Sequence, residues 1–124
     1  MLRVLYVEDN EDNAYLLSMR LELSGEFEVQ LAKDAYSGIE KAKSSQPEII
    51  LMDMDLPGMS GADAMKILKQ SSETSHIPII AVTAHAMEAT RIAALSEGFD
   101  GYCAKPIEFP KLLDMIRKLA PSPS

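Results

Sequence analysis

Four apolar runs of the sequence each lead into polar residues that can bind a cation or a phosphoryl group. Glu8 and Asp9 follow the first run, Asp53 the second, Thr83 the third and Lys105 the fourth. Each run has the length of a buried strand, and turn residues after it mark its end. If the strands lie parallel and side by side, these polar residues meet at one edge of the sheet. Three carboxylates, a hydroxyl and an ammonium in one crevice form a site for a divalent cation and a phosphoryl group.

The three carboxylates need compensating positive charge. Two carboxylates about 5 Å apart repel each other by roughly 3 kcal/mol at an effective dielectric constant near 20. Lys105 supplies one positive charge, and a hard cation such as Mg²⁺, with Mn²⁺ as the alternative, supplies the rest. Asp53 can then act as a nucleophile toward phosphorus, while Lys105, the Thr83 hydroxyl and nearby backbone N–H groups stabilise the phosphoryl oxygens.

Each of these residues also has an ordinary structural interpretation. Asp53 could begin a turn, and the acidic pair Glu8 and Asp9 could belong to a solvated loop or a helix cap. Thr83 could cap the helix that follows it, and the Lys105 side chain could extend from a strand end into solvent. The structural interpretations treat each residue separately, whereas a shared site requires all four strand ends to carry complementary groups.

The elements that must position these residues alternate along the chain. Strand-like runs and amphipathic helix-length segments alternate five times, which is typical of βα units around a parallel sheet covered on both faces. A further strand is predicted near Glu28–Ala32. The helices are predicted from about Asn13 to Ser24, after a cap at Asp34, from near Ser60, from Met87 to Glu97 and from Phe109 to Leu119. The polar stretch from Gln70 to Ser75 predicts a mobile surface loop.

Length and composition favour a single globular domain of residues 1–120, followed by a disordered tail or the start of a linker at 121–124. The chain has 124 residues, 47% of them hydrophobic, and a net charge of −7. This charge makes direct binding to nucleic acid or to an anionic membrane surface unfavourable. A single cysteine, Cys103, and the absence of an export-like or membrane-spanning segment predict a cytoplasmic protein without an internal disulfide. Cys103 itself fits a small core residue, and the lone His76 and His85 fit surface positions rather than a metal site.

The polar set resembles the receiver domain of two-component response regulators. The matching residues are Glu8-Asp9, Asp53 with Leu56-Pro57 and Gly61 after it, Thr83-Ala84 and Lys105-Pro106. Their order and spacing match the family over essentially the whole chain. The resemblance implies an α/β, flavodoxin-like fold, a doubly wound five-stranded parallel sheet of strand order 2-1-3-4-5 with five helices.

The resemblance also implies the chemistry of the site. Asp53 would accept a phosphoryl group from a phosphohistidine on a sensor histidine kinase or a histidine phosphotransfer protein. Mg²⁺ would bind Asp9 and Asp53 directly, together with the backbone carbonyl of Asp55, while Glu8 would act mainly through water. Glu8 departs from the family pattern, because many members carry a second Asp at this position.

Further expectations from the resemblance concern the response to phosphorylation. Thr83 and Lys105 would bind the phosphate, the Lys105-Pro106 peptide bond would be cis, and Tyr102 would be the switching aromatic that moves when Thr83 is drawn to the phosphate. The protein would then be a signalling switch that assists its own phosphorylation and dephosphorylation, not an ordinary enzyme. Its readout surface would be helix 4, strand 5 and helix 5, used by a downstream protein or effector domain or by a phosphorylation-promoted dimer. His85, two positions past Thr83, lies where family members tune the lifetime of the phosphate.

Two other functions fit parts of the sequence. Asp53-Met54-Asp55 after an apolar strand resembles the opening motif of haloacid-dehalogenase-type phosphatases, in which the first Asp is the nucleophile and the second a general acid. That motif usually follows the first strand of a larger chain, whereas here it follows the third. A degenerate receiver that only binds proteins is the other alternative, although no member of the acidic, hydroxyl and lysine set is missing.

Overall fold

A computed structural model describes residues 1–85 and 87–120. Strands and helices alternate strictly within these ranges. The strands are β1 Leu2–Val7, β2 Phe27–Ala32, β3 Ile49–Asp53, β4 Ile79–Thr83 and β5 Gly101–Ala104. The helices are α1 Glu11–Leu23, α2 Ala35–Ser45, α3 Gly61–Gln70, α4 Glu88–Glu97 and α5 Phe109–Leu119. Among them we find none with the length and apolar character needed to cross a bilayer. The predicted tail at 121–124 lies outside the described residues.

The five strands form one parallel sheet of order β2-β1-β3-β4-β5. This arrangement confirms the flavodoxin-like fold and the strand order 2-1-3-4-5. The register keeps the strand ends level, since Val7 pairs with Met52 and Thr83 pairs with Ala104. Residues at the carboxyl ends of β1, β3, β4 and β5 are therefore neighbours, which is where open α/β sheets place their ligands.

Helices cover both faces of the sheet, so β3 and β4 are buried along their whole length. One face packs against α2, α3 and α4, and the other against α1 and α5. Because side chains alternate along a strand, each strand supplies both cores. The first core includes Leu5, Val7, Ile50, Met52, Ile79 and Ala81. The second includes Val4, Tyr6, Ile49, Leu51, Ile80 and Val82.

Polar caps set the starts of three helices. Asp34 accepts a backbone N–H at the first turn of α2, as the sequence predicts, and Ser60 does the same for α3. Helix α1 begins at Glu11, two residues earlier than predicted. The reason is Asn10, whose side-chain oxygen accepts the Asn13 N–H at 2.9 Å and satisfies a first-turn donor. Its position directly after the acidic pair brings α1 close to the site.

Helix α4 is held to the body by few side chains. Ala94 is its buried residue, and Ile92 and Leu95 stay exposed. Met87 precedes the helix without a side-chain cap bond, and Gly98 ends it with a positive φ of 130°. The sparse anchoring agrees with the weak attachment expected from the alanine-rich sequence, and it leaves α4 freer to shift than its neighbours.

The segment predicted as a mobile surface loop at Gln70–Ser75 lies mostly on the surface, but hydrogen bonds tie it to the body. Thr74 is fully buried, and its hydroxyl donates to the Leu68 carbonyl oxygen at 2.7 Å. The Gln46 side chain donates to the Glu73 carbonyl oxygen at 3.0 Å. The segment is thus a hydrogen-bonded turn, because a short polar side chain completes the carboxyl end of a helix.

Candidate functional site

The carboxyl edge of the sheet gathers the predicted polar residues. Asp53 and Thr83 are the last residues of β3 and β4, and Glu8 and Lys105 follow β1 and β5. Glu8, Asp53 and Thr83 expose only 3%, 1% and 1% of their surface. Buried polar groups are stable only where they have hydrogen-bond or ionic partners, so their concentration at one edge of the sheet indicates a functional site.

Three carboxylates converge there. One oxygen from each of Glu8, Asp9 and Asp53 lies within 4.8 Å of the others. Asp9 is exposed while the other two are buried, so the group opens to solvent on one side. An oxygen-only donor set that is open on one side suits Mg²⁺, which keeps several water ligands. The donors present therefore fit the predicted metal.

Lys105 bridges two of these carboxylates. Its ammonium donates to Glu8 Oε1 at 2.9 Å and to Asp53 Oδ2 at 3.2 Å. The peptide bond from Lys105 to Pro106 is cis. Burial works against the charged ammonium, but the hydrogen bonds to Glu8 and Asp53 raise the pKa of Lys105. The ammonium stays protonated and partly balances the acidic group.

The two buried carboxyls titrate as a pair. Burial, and then the neighbouring Glu8, raises the pKa of Asp53 to about 6. Burial opposes ionisation of Glu8 as well, but hydrogen bonds with Asp53 and Lys105 bring the pKa of Glu8 down to about 2. Without a metal the pair therefore holds a shared proton below about pH 6, and Asp53 is its main carrier.

Tyr6 is a member of the site that the sequence did not single out. Its hydroxyl donates to Glu8 Oε1 at 3.0 Å, and only 1% of the residue is exposed. Burial and the adjacent Glu8 carboxylate raise the pKa of Tyr6, so its hydroxyl remains a donor. The available signal was the two-residue spacing between Tyr6 and Glu8, which places both side chains on one face of an extended strand.

Asp55 enters the site through both its backbone and its side chain. The Asp55 N–H donates to Asp53 Oδ1 at 2.9 Å and fixes the orientation of that carboxylate. The Asp55 carboxylate accepts the Ala84 N–H at 3.1 Å and lies 3.7 Å from His85 Nε2. These contacts join the β3–α3 loop to the start of the β4–α4 loop. His85 is exposed and lies beside the site, as expected from its position two residues past Thr83.

Thr83 and Tyr102 are connected through the backbone of His85. The Thr83 hydroxyl oxygen accepts the His85 N–H at 3.1 Å, and the Tyr102 hydroxyl donates to the His85 carbonyl oxygen at 2.6 Å. The proposed switch residues therefore hold the same peptide segment from two sides. A displacement of one can reach the other through that segment.

Gly61 lets α3 approach the site closely. A Cβ at this position would collide with the carbonyl oxygen of Asp53 and press on Met52. The backbone of α3 thus lies directly against the residue at the end of β3. No larger residue fits here without moving Asp53.

Cys103 takes no part in the site. It is 8% exposed and packs in the core that faces α1 and α5. Burial raises the pKa of the Cys103 thiol, which makes it less reactive. The interpretation as a core residue therefore fits its surroundings.

Comparison with known proteins places this geometry in a family. The family described as response regulator receiver domain matches residues 4–117. The chain belongs to this family. The polar-differentiation response regulator DivK of Brucella anthropi is 38% identical over 114 residues, which cover 92% of this chain and 92% of that protein. This match favours the receiver interpretation of the motif at Asp53 over the haloacid-dehalogenase interpretation.

Solved structures share the receiver fold. A putative response regulator from Chloroflexus aurantiacus superimposes with a TM-score of 0.88 at 27% identity, over 95% of this chain and 96% of that chain. The receiver domain of sensor histidine kinase PA1611 from Pseudomonas aeruginosa gives a TM-score of 0.86 at 30% identity, over 95% and 96% of the two chains. In that structure a magnesium ion is coordinated in the active site cleft.

Proposed function

We propose that this receiver domain is a phosphorylation-dependent signalling switch in which Asp53 accepts a phosphoryl group from a phosphohistidine on a kinase or phosphotransfer partner. The observation that carries the proposal is the contact of the buried Asp53 carboxylate with Lys105 at 3.2 Å, beside two further carboxylates within 4.8 Å. The lysine can bind the negative charge of a phosphoryl group, and the neighbouring carboxylates can bind a cation.

The transfer step follows from this arrangement. A carboxylate oxygen of Asp53 forms the new bond to phosphorus as the phosphorus–nitrogen bond of the phosphohistidine breaks, and the bonding electron pair leaves with the imidazole nitrogen. The Asp55 N–H orients the attacking carboxylate. Lys105 and Thr83 would bind phosphoryl oxygens once Lys105 releases its present partners, Glu8 and Asp53.

Mg²⁺ is the cofactor we propose, and Glu8, Asp9 and Asp53 are the side chains that would hold it. When bound, the ion would neutralise carboxylate repulsion and the charge that develops on the phosphoryl oxygens. The magnesium ion in the related PA1611 receiver domain supports this choice. The backbone carbonyl of Asp55 as a further ligand, and Mn²⁺ as a substitute, stay predictions.

The partner's phosphohistidine has to approach over the rim of the site. A cavity of about 250 Å³ opens beside Lys105, lined in part by Leu16, Pro106 and Ile107. Leu16 is 55% exposed on α1. An apolar rim next to a charged centre can hold a partner helix while the charged groups receive the phosphoryl group. We therefore propose that the phosphodonor covers this side of α1.

The output surface is proposed to be α4, β5 and α5. A phosphoryl group that draws Thr83 inward would pull on the His85 peptide, to which Tyr102 is bonded. The weakly anchored element that could respond is helix α4. Ile92 and Leu95 are exposed on this helix, and Met87 is exposed directly before it. A downstream protein, an effector domain or a second copy of the chain would read that surface. Cytoplasmic location stays a prediction.

Two alternatives are decided by one experiment. The purified chain is incubated with Mg²⁺ and acetyl phosphate, and the added phosphoryl group is located by peptide mapping with mass spectrometry. We expect modification at Asp53 and none in Asp53→Asn. Asp55→Asn is the matched control, because its amide oxygen can still accept the Ala84 N–H in a receiver, whereas a phosphatase needs the carboxyl group as general acid.

The outcomes separate the functions. Modification that persists in Asp53→Asn would place the acceptor elsewhere. Loss of reaction in Asp55→Asn would favour the phosphatase. A wild-type chain that binds Mg²⁺ but never takes up phosphate would be a degenerate receiver, and the proposed function would fall.

A further inference from the structure

The hydroxyl of the buried Tyr6 has a hydrogen-bond partner inside the acidic group. Tyr6 lies in β1, two residues before Glu8, and is 1% exposed. Its hydroxyl donates to Glu8 Oε1 at 3.0 Å. Core positions of this kind are usually filled by apolar residues, since a buried hydroxyl must keep a hydrogen bond. The hydrogen bond between Tyr6 and Glu8 therefore indicates that Tyr6 has a role at the site.

The same oxygen of Glu8 receives two donors. Lys105 Nζ lies 2.9 Å from Oε1, and the Tyr6 hydroxyl lies 3.0 Å from the same oxygen. The second oxygen, Oε2, is 3.4 Å from the Asn10 backbone nitrogen, a long and weak hydrogen bond. Two donors on Oε1 thus fix the rotation of the carboxylate and leave Oε2 as the oxygen available to a metal-bound water.

The second donor matters when Lys105 changes partners. The Glu8 side chain is 1% exposed, so water cannot replace a lost donor from bulk solvent. If Lys105 turns to a phosphoryl group, Glu8 loses its ammonium partner, and an unpaired buried carboxylate is costly. Tyr6 remains bonded to Glu8 and lowers the free energy needed for Lys105 to leave.

The length of Glu8 is part of this arrangement. An Asp at position 8 would be one methylene shorter, and its carboxylate would withdraw from Tyr6 beyond hydrogen-bond distance. Glu8, which replaces the Asp common in the family, and Tyr6 therefore act as one hydrogen-bonded unit.

We propose that Tyr6 is a positioning residue, which holds the Glu8 carboxylate in place so that Lys105 can move to the phosphoryl group. The inference rests on the proposed function, because it presumes that Lys105 binds phosphate at Asp53. Tyr6 itself touches neither the phosphoryl group nor the reacting carboxylate.

A double-mutant cycle tests the unit. The wild type, Tyr6→Phe, Glu8→Asp and the double variant are compared by calorimetric titration with Mg²⁺ and then, at saturating Mg²⁺, with beryllofluoride as a stable phosphoryl mimic. Tyr15→Phe is the matched control, since Tyr15 is 59% exposed on α1. Thermal unfolding of each variant verifies that it is folded.

We expect Tyr6→Phe to weaken beryllofluoride binding about fivefold while Mg²⁺ affinity stays within about twofold, because the Tyr6 hydrogen bond, present in both states, stabilises Glu8 more once Lys105 has left it. In the Glu8→Asp background the same change should have no effect, and Tyr15→Phe should match wild type. Equal weakening in both backgrounds, or equal weakening of Mg²⁺ and beryllofluoride binding, would reveal a general packing defect and overturn the inference. Unchanged beryllofluoride binding in Tyr6→Phe would overturn it as well, while a wild type that binds neither ligand would overturn the proposed function itself.

Discussion

The carboxylate of Asp55 occupies the backbone N–H of Ala84, with 3.1 Å between Oδ2 and the amide nitrogen. Ala84 directly follows Thr83, the last residue of β4, so its N–H lies at the edge of the sheet that holds the site. A phosphoryl group on Asp53 would need hydrogen-bond donors there. In the unphosphorylated chain an internal anion therefore takes a donor that the phosphoryl group could use.

Replacing Asp55 should release that donor. We expect Asp55→Ala to bind beryllofluoride about fivefold more tightly than wild type at saturating Mg²⁺, because the Ala84 N–H no longer has to leave a carboxylate. Asp55→Asn is the control for charge, since its amide oxygen can still accept from Ala84. It should stay near wild type. Equal tightening in both variants would mean that the charge of Asp55, and not its hydrogen bond, sets the affinity.

The acidic group should make stability and metal binding depend on pH. The pKa of Asp53 is raised to about 6 in the folded chain. A carboxyl with a higher pKa in the folded state stabilises the fold while it is protonated, and this contribution is lost as the pH rises from about 4 through about 6. We expect Asp53→Asn to stabilise the metal-free protein by about 2 kcal/mol at neutral pH and by much less near pH 4.5, measured by urea unfolding.

Two comparisons check the source of this effect. Asp114→Asn removes an exposed carboxylate of α5 and should leave the pH profile unchanged. The contribution of Glu8 to folding stability, with its pKa lowered to about 2, changes only below about pH 4.5 and so falls outside the pH range compared.

Wild-type Mg²⁺ affinity should rise with pH up to about 6 and then level off, because the metal displaces the proton of Asp53. A flat affinity over that range would contradict the assignment.

The site was predictable from sequence wherever it depends on strand ends. A parallel sheet brings the residues after its strands to one edge, so Asp53 and Lys105 could be paired from their positions alone. Contacts that depend on the path of a loop or on a side-chain rotamer were not predictable. The Asp55 hydrogen bond to Ala84 requires two loops to meet, and the burial of Thr74 requires a turn to fold back on α3. Sequence spacing carries no information on either.

Thr83 should couple phosphorylation to the readout surface. Its hydroxyl oxygen accepts the His85 N–H at 3.1 Å, and a phosphoryl group would accept the hydrogen of the same hydroxyl and draw its oxygen away from His85. We expect Thr83→Ala to be phosphorylated by acetyl phosphate but to show little change in amide hydrogen exchange across α4 afterwards. Thr83→Ser keeps the hydroxyl and should respond like wild type. An unaltered α4 response in Thr83→Ala would remove Thr83 from the switch.

Gly61 should be intolerant of even one added carbon. Its Cβ would collide with the Asp53 backbone, which cannot rotate away, whereas a Cβ on Gly38 of α2 would meet the methyl groups of Val7. We expect Gly61→Ala to destabilise the chain by about 1–3 kcal/mol and to weaken Mg²⁺ binding through the displaced Asp53. Gly38→Ala should leave Mg²⁺ binding closer to wild type, because its Cβ presses on the Val7 side chain and not on the backbone of Asp53. Equal losses of Mg²⁺ affinity in both variants would contradict this account.

Leu16 should matter for a protein phosphodonor but not for a small one. It is 55% exposed on α1 and lines the cavity beside Lys105, whereas Leu23 is 79% exposed at the other end of the same helix. An apolar anchor near the centre of an interface commonly contributes more than 1 kcal/mol, so we expect Leu16→Ala to slow transfer from a phosphorylated partner roughly tenfold. Leu23→Ala serves as the matched control, and both variants should react with acetyl phosphate at the wild-type rate. If Leu16→Ala slowed the acetyl phosphate reaction equally, its effect would lie in the site rather than in docking. If Leu23→Ala impaired protein-to-protein transfer as strongly, the partner would cover the whole outer face of α1 instead of the rim beside Lys105.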